Sequence, residues 1–127
     1  SLLGYYEDYT YVTKFGFNAT YQTTDITCRV IRVGNKVTII VPYWAQTITN
    51  STGGGANCTA LTALPVRFTC ASGTTVAFAC GVVGGVNTSC LMYLLGGGTT
   101  LYCMPTTGLW ANGVQLNWFG TSITYFV

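Results

Sequence analysis

The chain has 127 residues and a mass of 13.6 kDa, enough for one domain, with 6% charged residues and a net charge of +2. No run of either sign is present to hold nucleic acid or an anionic membrane surface. The absence of histidine removes the commonest general base, the commonest metal ligand and every Ser-His or Cys-His nucleophile pair.

Valine, isoleucine and threonine number 40 and aromatics 18, against 30 strong helix formers, so the composition is that of a β-rich chain. From Tyr5 to Tyr21 six of the seven aromatics, Tyr5, Tyr9, Tyr11, Phe15, Phe17 and Tyr21, occupy odd positions, Tyr6 being the exception. This period of two predicts strand, with Gly16 as a bulge or break, and a row that packs into a core or a subunit contact in preference to a binding stripe. Ile26, Cys28 and Val30 then face one way, Gly34-Asn35 supplies the positive φ of a two-residue turn, and Val37, Ile39 and Val41 return along a partner strand that Pro42 is expected to end. Arg29, Arg32 and Lys36 hold three of the five basic residues in this hairpin, and read as a solvated or guarded face before an anion or acidic-sugar contact.

Thr47 to Ala60 reads as a long exposed loop. Short strands are predicted at Val66 to Cys70, Val76 to Cys80, Cys90 to Leu95, Thr100 to Met104, Val114 to Trp118 and Ser122 to Val127, with small or positive-φ residues between them. Turn signals every 8 to 12 residues and no 3.6-residue period mean an all-β antiparallel fold, a sandwich, jelly roll or barrel without substantial helix. Residues 1–25 are expected as an extended arm or first strands and 26–127 as the main unit, or 1–127 as one continuous domain.

The run Val76 to Val86 carries three glycines and falls short of the roughly 20 residues a spanning helix needs, so no membrane span is expected. Ser1-Leu2-Leu3-Gly4, without a basic segment or initiator Met, reads as a processed or excised end and not a signal peptide.

Six cysteines, Cys28, Cys58, Cys70, Cys80, Cys90 and Cys103, contain no Cys-x-x-Cys pair, which disfavours zinc. Disulfides and buried free thiols both remain open. Cys80 with Cys90 is the pair that a glycine-rich turn would bring side by side. Four Asn-x-Ser/Thr sequons, at Asn18, Asn50, Asn57 and Asn87, make these asparagines glycosylation candidates. Glu7 and Asp8 would point to opposite faces of a strand, leaving Asp25 as the one other acid, so a paired-carboxylate hydrolase lacks its parts and no catalytic residue, metal site or cofactor is expected. Trp44 and Trp110, next to loop signals, are the candidate ligand contacts, whereas Trp118 is expected in the core.

The run Cys28-Arg29-Val30-Ile31-Arg32-Val33-Gly34-Asn35-Lys36-Val37-Thr38-Ile39-Ile40-Val41-Pro42, the Asn50-Ser51-Thr52 loop, Leu61-Thr62-Ala63-Leu64-Pro65 and the ending Gly120-Thr121-Ser122-Ile123-Thr124-Tyr125-Phe126-Val127 follow one another in a telling order. Over residues 26–127 this order resembles the carboxy-terminal head domains of phage and virus fibre proteins. The resemblance implies a jelly-roll-like β-sandwich, similar to complement and tumour-necrosis-factor heads, which trimerises on a virion surface among other virion surface proteins and contacts a host glycan or receptor through its loops. No receptor-binding residue carries over, because the shared motifs are structural. Low charge and positive mean hydropathy agree with a large apolar contact between sister subunits. Two other readings compete: a secreted, disulfide-bonded lectin-like domain, and a subunit of an extracellular filament in which residues 5–21 complete a neighbour's sheet.

Overall fold

The computed structural model describes residues 4–18, 20–49, 58–71, 73–108 and 110–127. Ten strands follow in chain order: β1 (Tyr6–Thr13), β2 (Phe15–Phe17), β3 (Thr20–Tyr21), β4 (Ile26–Val33), β5 (Lys36–Thr47), β6 (Cys58–Ala60), β7 (Thr75–Val83), β8 (Val86–Leu94), β9 (Tyr102–Pro105) and β10 (Gln115–Phe126). Every pair is antiparallel, and they form one sheet in the order β1-β4-β5-β10-β7-β8-β9-β6-β2-β3. The all-β sandwich-like class read from the sequence is therefore the observed one, its two layers being the two halves of a single curled sheet.

The curl closes on the first strands. β1 lies at one end of the order and β2 near the other, yet only Lys14 separates them. β1 pairs with β4 while β2 pairs with β6, and the amide of Leu61 donates to the Lys14 carbonyl at 2.8 Å. The Thr62 amide donates to Thr13 Oγ1 at 3.0 Å, and the buried Tyr11 hydroxyl donates to the Thr62 carbonyl. One stretch of chain thus stitches both ends of the sheet. In this fold the stretch pairs within its own molecule, β1 with β4 and β2 with β6 and β3, so giving it to a neighbour as a filament's donor strand would mean releasing those pairings.

The odd-numbered aromatic row explains the engagement. Tyr11, Phe15 and Phe17 are buried, Tyr9 is half-buried against Phe68, and Tyr5 alone is exposed at the row's start. Phe15 stacks on Trp44 at 4.7 Å, and Trp44 on its cross-strand partner Trp118 at 5.7 Å. At Gly16 an added Cβ would lie 2.3 Å from the Thr20 carbonyl oxygen, so only glycine lets β3 fold back onto β2.

The β4–β5 hairpin forms with its Gly34-Asn35 turn, pairing Val33 with Lys36. Pro42, expected to end the strand, lies inside the 12-residue β5. It ends only the pairing with β4, which stops at Ile40, since proline has no amide to donate. Burial there changes phase: Val37, Ile39 and Val41 face inward, then Trp44 and Ile48. β10 changes phase opposite, from Leu116 and Trp118 to Ile123 and Tyr125, while the register between the strands runs unshifted. Gly120, at φ +74°, absorbs that turn of the backbone, which is why the two strands expected at Val114 to Trp118 and Ser122 to Val127 are one.

The strand expected at Val66 to Cys70 is instead a single 3-10 turn, Val66–Phe68, preceded by Pro65. Its amide bonds run Phe68 to Pro65 and Thr69 to Val66, turning Val66 out to 84% exposure and Phe68 into the core. This segment is clamped across β1: Arg67 forms a bidentate pair with Glu7, Nη2 donating to Oε2 at 2.6 Å and Nε to Oε1 at 3.0 Å, and its guanidinium lies over Tyr9 and Phe68. The buried Tyr125 hydroxyl donates to the Phe68 carbonyl at 2.6 Å. On the opposite face of β1, Asp8 pairs with Arg29 at 2.6 Å. Hydrogen bonds from these arginines hold the Glu7 and Asp8 carboxyls below the usual carboxylate range.

Two outcomes follow from this geometry. Gly16→Ala should destabilise the protein by about 2–4 kcal/mol, seen as a lower urea midpoint, because the Thr20 carbonyl oxygen and the Tyr21 Cα that it would strike are backbone. A carboxyl depressed in the folded state contributes stability above its unfolded pKa and loses it as pH falls through the folded value. The melting temperature should therefore drop as pH is lowered below about 4.5, and Glu7→Gln should flatten part of that drop in a pH series of thermal melts.

Candidate functional site: two outer faces of the sheet

The three described acids are each held by a base: Glu7 by Arg67, Asp8 by Arg29 and Asp25 by Lys14. Two bases, Arg32 and Lys36, are left to carry the net charge. Arg32 is turned to the protein, donating to the carbonyls of Gly34 at 2.8 Å and Arg67 at 2.9 Å beneath the Tyr5 ring. Lys36 is exposed on the outer face, in a row that the pairing registers set out as Tyr6, Val33, Lys36 and Phe126.

Beside Lys36 is a hollow of about 760 Å³, lined by Ile31, Val33, Gly34, Asn35, Lys36, Thr38 and Phe126. Its wall ring, Phe126, is 62% exposed, and the Thr38 and Thr124 hydroxyls beside it are 3.0 Å apart and hydrogen-bonded. An apolar floor, hydroxyls and one cation suit a ligand with a hydrocarbon face and an acceptor group. Among the described residues no group of three or more His, Cys, Asp or Glu side chains is placed to hold a metal, and no helix is long and apolar enough to cross a membrane.

The second surface is the outer face of β7, β8 and β9. Registers place Val76, Tyr93 and Tyr102 in one row and Phe78, Leu91 and Met104 in the next. Phe78 is 74% exposed, Val76 and Met104 are exposed, and the Tyr93 and Tyr102 rings stack at 5.1 Å. Phe119, exposed on β10 against Tyr43, extends the patch across the next strand, where Thr121 Oγ1 donates to the Phe78 carbonyl. No charged residue occurs from Phe68 to Val127, so no charge interrupts it. Sequence reasoning registered the uncharged half but not which side chains share a face. The period-two rows Val76, Phe78, Cys80 and Leu91, Tyr93 carried that signal.

The tryptophans expected to meet ligand do not reach solvent. Trp44 is 1% and Trp110 4% exposed. Trp44 fills the stack between Phe15 and Trp118, and Trp110 meets Phe17 edge-on at 5.6 Å while its Nε1 donates to the Cys103 carbonyl. Both serve the core because the interior between the curled halves needs large fillers, as Trp118 does. Cys80 and Cys90 are on paired strands, but Cys80 faces Ser89 and is exposed whereas Cys90 faces Ala79 and is buried. Adjacent register positions leave on opposite sides of a sheet, so the hairpin does not bring the two sulfurs together. Cys28, Cys58, Cys70 and Cys103 are buried free thiols, and burial pushes the thiols of Cys28 and Cys90 up to about 12 and about 11.

Of the sequon asparagines, Asn18 is exposed at the β2–β3 turn, donating its amide to the Thr49 carbonyl, and Asn87 is exposed on β8. Asn50 and Asn57 lie outside the described residues.

No family model and no curated protein matches the sequence. Solved structures do match its fold. A reovirus attachment protein, sigma1, solved in complex with alpha-2,3-sialyllactose, aligns at TM-score 0.55 and 14% identity, over 96% of this chain and 65% of that one. The C-terminal receptor-binding domain of avian reovirus fibre sigmaC, in a Zn crystal form, aligns at TM-score 0.56 and 12% identity, over 96% of this chain and 74% of that one. This chain therefore spans about two thirds of the length of the sigma1 structure. The curled antiparallel sheet is thus similar in fold to these two reovirus attachment-protein structures, of the class that the sequence motifs resemble.

Proposed function

We propose that this chain is the non-enzymatic attachment head of a viral surface fibre or spike, displayed on the virion, which trimerises and contacts a host glycan or protein. The observation that carries the reading is the uninterrupted apolar outer face of β7, β8 and β9 on a fold shared with attachment-fibre heads. Water contact over two rows of exposed and half-buried apolar side chains is costly, and sister copies of the chain would remove it symmetrically. With this face given to assembly, the hollow beside Lys36 on the opposite part of the sheet is the surface left for a host ligand. The sigma1 structure holds a sialylated sugar, and an exposed lysine beside an apolar floor is chemistry that suits an acidic saccharide.

Size-exclusion chromatography with multi-angle scattering tests the assembly: the protein should run at three times 13.6 kDa. Phe78→Asp should release monomers whose circular dichroism is still that of a β protein. A wild-type protein that stays monomeric at high concentration would refute the trimer and favour the secreted lectin-like domain. For the ligand, saturation-transfer NMR with sialyllactose should show contact that Lys36→Ala weakens about five- to tenfold, the worth of one charge-assisted hydrogen bond. Equal affinity of the variant would remove the hollow from the reading.

A further inference from the structure

Six cysteines in a chain this small are unexplained by assembly or ligand contact, and the strand registers single out two of them. Cys58 on β6 and Cys103 on β9 are Cα partners in the antiparallel ladder. No other cysteine faces a cysteine in any strand pair of the described residues. Directly opposed residues share a face of the sheet, and both side chains are buried on the inner one, at 0% and 2% exposure. The amide of Ala60 donates to the Leu101 carbonyl at 3.0 Å, two residues along, which makes the cysteine pair a hydrogen-bonded position too. Opposed Cα atoms at such positions are about 5.5 Å apart, the separation that disulfides favour.

We propose that Cys58 and Cys103 are a disulfide site, a covalent clasp that forms when the chain folds in an oxidising medium. The oxidant is a small-molecule disulfide such as oxidised glutathione. The thiolate of one cysteine attacks it, breaking its S–S bond, forming a mixed disulfide and releasing one glutathione thiolate. The thiolate of the other cysteine then attacks the protein sulfur, the S–S bond between the strands forms, and the second glutathione leaves. Two protein thiols lose their protons and two electrons, and one glutathione disulfide becomes two thiols. Burial in the finished fold raises the Cys103 thiol well above its ordinary range, so the exchange belongs to the folding chain, before β6 closes on β9.

The position gives the clasp a purpose. β6 is three residues long and is the strand that β2 pairs with when the sheet closes. Tying it to β9 would lock the closure and confine residues 58 to 103 of the unfolded chain to a closed loop, lowering that state's entropy.

The test refolds the wild-type chain from denaturant in a glutathione redox buffer, alkylates remaining thiols in denaturant, and maps peptides by mass spectrometry. The expected product links Cys58 to Cys103 with the loss of two hydrogens. Its melting temperature should exceed that of the reduced protein by on the order of 10 °C. Cys103→Ser should abolish the difference and Cys80→Ser should keep it. Alkylation of both Cys58 and Cys103, a link from either to another cysteine, or a linked product that melts no higher than the reduced one overturns the proposal.

Discussion

Main-chain hydrogen bonding across Lys14 is the constraint on which the molecule rests. An open sheet of this size would expose two edges of unpaired amides and carbonyls, and edges recruit other strands. Here a single stretch, Tyr6–Phe17, pairs β4 at one end of the sheet and β6 at the other, with Leu61 and Thr62 bonded across the break. Closure turns one face of every strand inward and leaves the other to solvent. What the protein can touch is then decided by the outward half of each strand.

The inward half is filled by unusually large side chains. Phe15, Trp44 and Trp118 form a continuous stack, with Phe17 and Trp110 packed edge to face beyond it. Among the described residues the indole nitrogens of Trp44 and Trp118 have no hydrogen-bond partner, a cost the core bears for the area these rings bury. The tyrosines are better served, since the Tyr11 and Tyr125 hydroxyls donate to the carbonyls of Thr62 and Phe68 and so pin the irregular segment between β6 and β7. Arg67 completes the same attachment from outside through Glu7.

Recognition is left to what remains outside, and there the molecule is polarised. The β7–β8–β9 side is apolar and uncharged, while the β4–β5 end has the one exposed lysine that no carboxylate answers among the described residues. A likeness to attachment-fibre heads at 12–14% identity rests on the fold and not on shared contact residues. The faces themselves therefore carry the functional argument. The division of labour proposed for them, one for sister copies and one for a ligand, rests on this distribution of charge.

Local signals determined a good deal. Alternating side chains marked the aromatic row of β1 and β2, and the Gly34-Asn35 turn with its flanking valines and isoleucines specified the β4–β5 hairpin, because period and turn chemistry are properties of neighbours along the chain. The order of short motifs also pointed to fibre heads. What the chain alone could not decide was which of two faces points inward once strands far apart in sequence pair. Pro42 and Gly120 reverse that choice together within β5 and β10, and an alternation pattern read one strand at a time has no means of registering it. The same limit sent Trp44 and Trp110 to the wrong side and paired Cys80 with Cys90, neighbours in a hairpin whose sulfurs leave in opposite directions. Only the tertiary pairing of β6 with β9 set Cys58 against Cys103 across 45 positions of chain, because register between distant strands is settled by closure of the whole sheet.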